Sequence, residues 1–103
     1  MFLLLAVAGA LSASASGESK SASVTVQISS MKFNPMEMHA KSGDKITWVN
    51  DDLVPHTVTA LDKAFASGPI LPGKSWVYKA KKAGSHAYKC EFHPTMSGQL
   101  VIE

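Results

Sequence analysis

Apolar and polar residues alternate one by one through most of the chain from Val24 onward, and no other feature limits the fold as much. Val24, Val26 and Ile28 alternate with Thr25 and Gln27, and Met36, Met38 and Ala40 alternate with Glu37 and His39. Ile46 and Trp48 share one face, as do Trp76, Tyr78 and Ala80, then His86, Tyr88 and Cys90, and finally Leu100 and Ile102. A period of two is that of a half-buried strand, because successive side chains leave opposite faces of the backbone. Turn signals separate these runs: Asn34-Pro35, Ser42-Gly43-Asp44, Asn50-Asp51-Asp52, Ser67-Gly68-Pro69, Leu71-Pro72-Gly73, Ala83-Gly84 and Ser97-Gly98. Only Asp62 to Ala66 leaves room for a single helical turn. The pattern predicts an all-β chain folded as a Greek-key antiparallel β-sandwich. Tyr88, two residues before Cys90 and four after Gly84, has the setting of a tyrosine corner in such a sandwich.

The first residues differ from the rest. Phe2 to Leu11 reads FLLLAVAGAL and is followed by small residues through Gly17, the form of a secretory h-region with a cleavage site after Ala15. The expected organisation is a signal peptide at 1–15, a flexible Ser/Gly/Ala-rich lead-in at 16–22, and a single domain at 23–103. The apolar run is shorter than the roughly 20 residues a bilayer span needs; an uncleaved membrane anchor is the alternative reading. Export makes the lone Cys90 conspicuous, since one thiol cannot form an internal disulfide and stands open to oxidation. Charge excludes another class. Ten lysines, no arginine and eight acids give a net charge of +2, without the basic stripe and guanidinium forks of a nucleic-acid binder.

The chemistry concentrates in Cys90-Glu-Phe-His93-Pro-Thr-Met96, where a thiol, an imidazole and a thioether follow one another at spacings of three. Drawn out as a strand, the segment would spread these groups over ~20 Å. As a loop between two strands, stiffened by Pro94, it brings them to one point with less entropy lost. Upstream, Pro55-His56 follows the Asn50-Asp51-Asp52 turn and offers a second imidazole. One thiolate, two imidazoles and a weak thioether form a trigonal His₂Cys set with an axial Met, suited to one copper ion cycling between Cu(I) and Cu(II).

These residues resemble the cupredoxins, and most closely their amicyanin branch, the short-loop relatives of plastocyanin. The resemblance spans Val24 to Glu103 and rests on Trp48-Val-Asn50, Pro55-His56, the Cys-x-x-His-x-x-Met loop and the terminal Gly98-Gln-Leu-Val-Ile-Glu. It implies a cupredoxin-like sandwich whose copper ligands are His56, Cys90, His93 and Met96. It makes Asn50 the residue that ties the ligand loop to the neighbouring strand. It also implies that His93 is the electron port, within an apolar docking patch of Met31, Val54, Pro55, Ile70, Leu71, Phe92 and Pro94. The partners so implied are redox protein donors and acceptors that dock transiently on a monomer, with export to the bacterial periplasm. Phe92 and Thr95 depart from the branch, which carries Pro at the first position and an aromatic at the second.

Other candidates have plainer readings. His39 alternates against apolar neighbours and faces solvent, and His86 lies ~13 Å along a strand from Cys90, so neither is expected to be a ligand. Met31, Met36 and Met38 fit strand packing, with Met31 kept at the patch margin. The expected function is a small type 1 copper electron carrier, not an enzyme. The alternative is a periplasmic copper chaperone or storage protein, disfavoured by a thiolate held between two imidazoles. A zinc hydrolase would need an open water position and a general base, for which no Glu is evidently placed.

Overall fold

A computed structural model describes residues 21–103; the leader expected at 1–15 and most of the lead-in lie outside the described residues. Eight strands follow: β1 (Ser23–Ser29), β2 (Lys32–Asn34), β3 (Glu37–Ala40), β4 (Lys45–Asn50), β5 (Thr59–Ala60), β6 (Ser75–Lys79), β7 (Gly84–Lys89) and β8 (Ser97–Ile102). They form two four-stranded sheets, ordered β2-β1-β4-β6 and β3-β8-β7-β5. Among the described residues there is no helix, and the stretch from Asp62 to Ala66 runs through a turn and bends to a bridge between Ala66 and Thr59.

The alternating residues do face inward. Val26, Ile28, Ile46, Trp48, Tyr88, Leu100 and Ile102 are buried, with Val24, Met38, Trp76 and Tyr78 packed at the margin. Aromatic rings fill the centre between the sheets. The Tyr88 ring stands edge-on to Trp48 and to Phe33, at centroid distances of 5.6 and 4.8 Å, the offset geometry that aromatic quadrupoles favour. Phe65, outside any strand, packs 6.0 Å from Trp48 and is buried.

Two features depart from the sequence reading. The sandwich is mixed rather than wholly antiparallel: β1 pairs with β4, and β3 with β8, in parallel. Between the members of each parallel pair the chain crosses to the other sheet, which strand patterning alone does not reveal. The Tyr88 hydroxyl also does not make a tyrosine corner. It accepts a hydrogen bond from Trp48 Nε1–H, 3.2 Å away across the sandwich. Burial pushes the Tyr88 phenol up to about 12, against a smaller opposing effect of that bond, so the ring stays neutral.

Each end of the sandwich gathers its own loops. At one end lie the β1–β2 turn, the segment after β4 that carries His56, and the loop from Cys90 to Met96. At the other, Asp44 accepts backbone N–H bonds from Ala22 and Lys41, both at 2.8 Å, tying the start of β1 to the β3–β4 turn.

Candidate metal centre

The Cys90–Met96 loop is two successive tight turns. His93 N–H donates to Cys90 O (3.3 Å), Met96 N–H to His93 O (2.8 Å), and Cys90 N–H to Met96 O (3.0 Å), which closes the loop's mouth. Each spacing of three is therefore one turn of chain, and together they fold the segment back on itself. His56 arrives from the other sheet's loop and is pinned by both backbone bonds to Ile70, His56 N–H to Ile70 O at 3.1 Å and Ile70 N–H to His56 O at 2.7 Å.

The result is a compact donor cluster. Cys90 Sγ lies 3.7 Å from His56 Nδ1 and 3.6 Å from His93 Nδ1, and donor atoms of all three residues fall within 4.8 Å of one another. The two imidazoles face each other at a centroid distance of 5.1 Å. A triangle of that size leaves roughly 2 Å from its middle to each donor, the length of a metal–imidazole or metal–thiolate bond. His56 and Cys90 are fully buried, and His93 is half-buried at the rim.

Hydrogen bonding fixes the chemistry of these groups. His56 Nε2 lies 2.8 Å from Asp52 Oδ2. Burial raises the Asp52 carboxyl, but N–H bonds from Met31, His56 and Ser30 outweigh it and hold the group below its usual value. The carboxylate is therefore the acceptor and Nε2–H the donor, which leaves the Nδ1 lone pair aimed at the cluster. Cys90 Sγ accepts the Thr57 N–H at 3.3 Å, and Thr57 Oγ1 accepts the Glu91 N–H at 2.8 Å. Thr57 thus fastens the cysteine loop to the histidine segment. The soft sulfur and two imidazoles are closely spaced donors, with the His56 Nε2 and the Cys90 sulfur each hydrogen-bonded to the surrounding chain, and they fit one copper ion.

The expected site residues fall as follows. His56, Cys90 and His93 come together, and Met96, 5 % exposed, closes the same loop. Asn50 is fully buried, but it secures the His56 segment rather than the cysteine loop. Its Nδ2 donates to Val54 O (2.9 Å) and Ile70 O (2.8 Å), and its Oδ1 accepts the Asp52 N–H (2.9 Å). Met31, Val54, Pro55, Leu71, Phe92 and Pro94 are exposed. Ile70 is not: it is 3 % exposed, and its part is the backbone bridge to His56, so it drops out of the patch. Met36 is exposed rather than packed, and lines an open cleft of about 600 Å³ with Met31, Phe33, Thr95 and Met96.

His39 and His86 stand apart from the cluster. His39 faces Glu37 and Glu103 on the surface, while the buried His86 bonds Asp62 Oδ2 and Lys82 O. Sequence reasoning missed Asp52 and Thr57, and it passed over Leu53, which is 94 % exposed next to Val54. Asp52 lies four residues before His56 and was legible only as turn punctuation.

The cupredoxin-like domain family matches residues 1–102. Amicyanin of Paracoccus denitrificans is 35% identical over 95 residues, covering 86% of this chain and 72% of its own. Amicyanin-alpha of Methylorubrum extorquens is 34% identical over 92 residues, covering 84% of this chain and 76% of its own. A solved structure of an oxidised amicyanin variant superposes with a TM-score of 0.73 at 30% identity, over 79% of this chain and 82% of that one.

Proposed function

This chain belongs to the cupredoxin-like family, and from that premise we propose that it shuttles single electrons between redox partners in the bacterial periplasm. It is a blue copper electron-transfer protein and not an enzyme. The observation that carries the reading is the convergence of His56, Cys90 and His93 donor atoms within 4.8 Å. When bound, copper supplies a one-electron Cu(I)/Cu(II) couple.

The protein's part is to hold its donors in place. The backbone bridge to Ile70 fixes His56, the paired turns fix Cys90 and His93, and Thr57 joins the two segments. A donor set held this firmly by its surroundings need not rearrange when the charge on the metal changes, which keeps electron exchange fast. We assign Met96 as the fourth residue that would hold the copper, because it is buried at the end of the same loop and its thioether would supply a weak, soft ligand. His93, the half-buried donor, is the electron port. Met31, Val54, Pro55, Leu71, Phe92 and Pro94, with Leu53 added, form the apolar face on which partners dock transiently with the monomer. Export is the role we assign to residues 1–15.

Adding one equivalent of Cu(II) to residues 16–103 is expected to give an intense thiolate-to-copper charge-transfer band. Ascorbate should bleach it reversibly, and Cys90→Ser should lack it. Weak colour without that band, or copper lost quickly to a chelator, would replace the carrier reading with copper storage or delivery.

A further inference from the structure

Asp52 is bound by more donors than a turn residue needs. Its Oδ2 accepts both His56 Nε2–H (2.8 Å) and Met31 N–H (2.9 Å), while its Oδ1 accepts Ser30 N–H (2.7 Å). The side chain is 15 % exposed, and the His56 ring it holds is fully buried. No other side chain among the described residues is hydrogen-bonded to the His56 ring apart from Cys90.

The backbone it holds on the other side is equally unusual. Ser29 and Lys32 are cross-strand partners, so Ser30 and Met31 are a two-residue hairpin turn. Both have positive φ, 53° and 61°. Hairpins of this kind strongly prefer Asn-Gly, because side chains crowd the backbone in the left-handed region. Ser-Met has no such preference and needs outside support to stay there. The support is the Asp52 carboxylate, which takes both N–H groups that the turn points inward. Met31, whose backbone it grips, is also 41 % exposed on the rim of the apolar face.

On the copper reading above, we infer that Asp52 is a positioning residue that joins the docking rim to the metal centre. One carboxylate fixes the orientation and tautomer of the buried imidazole and the shape of the Ser30–Met31 turn. A displacement of the turn, as by a partner pressing on Met31, moves the hydrogen bond on His56 and so changes the balance between the oxidised and reduced metal. The anionic acceptor makes the imidazole a stronger donor, which favours the more highly charged oxidised ion.

The test compares Asp52→Asn, Asp52→Ala and Asp51→Asn, the last being an exposed neighbour that removes the same charge without touching His56. Asp52→Asn should shift the ratio of Cu(II) to Cu(I) affinity toward Cu(I) by roughly tenfold, a rise in potential of about 59 mV for one electron. Asp51→Asn should shift it several-fold less. In the metal-free protein, Asp52→Ala should speed amide hydrogen exchange at Ser30 and Met31 at least tenfold, with exchange in β4 and β7 unchanged. Equal shifts for Asp51→Asn and Asp52→Asn would reduce Asp52 to background charge and overturn the proposal. So would turn amides that exchange alike with and without the carboxylate. The exchange measurement needs no copper, so it judges the clamp even if the wild-type band fails to appear and the copper reading falls.

Discussion

A single missing side chain shows how tightly the centre of this sandwich is set. Gly98 on β8 is the cross-strand partner of Tyr88 on β7. A Cβ there would lie 2.4 Å from the Tyr88 ring and 2.5 Å from its hydroxyl. The ring cannot yield, because it is 1 % exposed, stands edge-on to Trp48 and Phe33, and receives the Trp48 N–H. Gly98→Ala is therefore expected to cost about 1–3 kcal/mol by overpacking, seen as a lower urea midpoint. An unchanged midpoint would mean that the Tyr88 ring has room the packing denies it. The sequence offered Gly98 as half of a Ser-Gly turn signal and as the head of the terminal motif, whereas the structure places it inside β8, where its need to be glycine arises from a ring on another strand.

At the scale of elements, the alternation made the strands legible and left their directions open. A period of two says which side chains face inward, and it reads the same for a parallel or an antiparallel neighbour. The parallel β3–β8 pair brings Glu37, His39 and Glu103 together at the end away from the metal donors, with His39 Nε2 2.7 Å from Glu37 and Nδ1 3.4 Å from Glu103. Hydrogen bonding to Glu37 first, then to Glu103, raises His39 above its ordinary value. Its contribution to stability is thus complete below about pH 6.5 and is lost as pH climbs through the raised value. Asp44 behaves in the opposite sense. N–H bonds from Ala22 and then Lys41 lower its carboxyl, so its contribution is present above about pH 4 and fades as pH falls through the lowered value. Urea midpoints measured from pH 2 to 9 should decline at both limits. His39→Gln should flatten the alkaline decline, and Asp44→Asn the acid one. A curve unaltered by either substitution would show that neither tie crosses into the folding equilibrium.

Among the described residues, the metal donors and the exposed Met31, Leu53, Leu71 and Phe92 gather at one end of the sandwich, and the Asp44 and His39–Glu103 ties lie at the other. Leu53, Leu71 and Phe92 are 94, 53 and 51 % exposed in the neighbourhood of the half-buried His93, and a net charge of +2 opposes self-association only weakly. With docking through this face as proposed, two copies of the protein should exchange electrons apolar end to apolar end. Leu71→Glu is expected to slow self-exchange between Cu(I) and Cu(II) forms at least tenfold by burying a charge at the contact, while leaving the visible band in place. Self-exchange unaffected by that charge would move the contact surface elsewhere. Two of the three clustered donors were readable in the chain, since Cys90 and His93 sit in one short loop whose spacing of three matches its turns. Which apolar side chains stay exposed was readable only in part: Ile70 is as apolar as Leu71, and only packing decided that one is buried and the other exposed.

The sequence by itself determined what depends on near neighbours: the strand faces, the turns between them, and a loop with the thiol, imidazole and thioether that suit copper. Those features follow from backbone geometry and side-chain chemistry over a few residues. The tertiary structure decided what depends on residues distant in the chain. It paired β1 with β4 in parallel, brought His56 to Cys90 across 34 positions, and set Thr57 against the thiol. It also turned Asp52 from a turn residue into a shared acceptor for His56 and a hairpin 21 and 22 residues earlier. The physical reason is that an N–H directed into the interior must find an acceptor there, and only the packed chain determines which one is within reach.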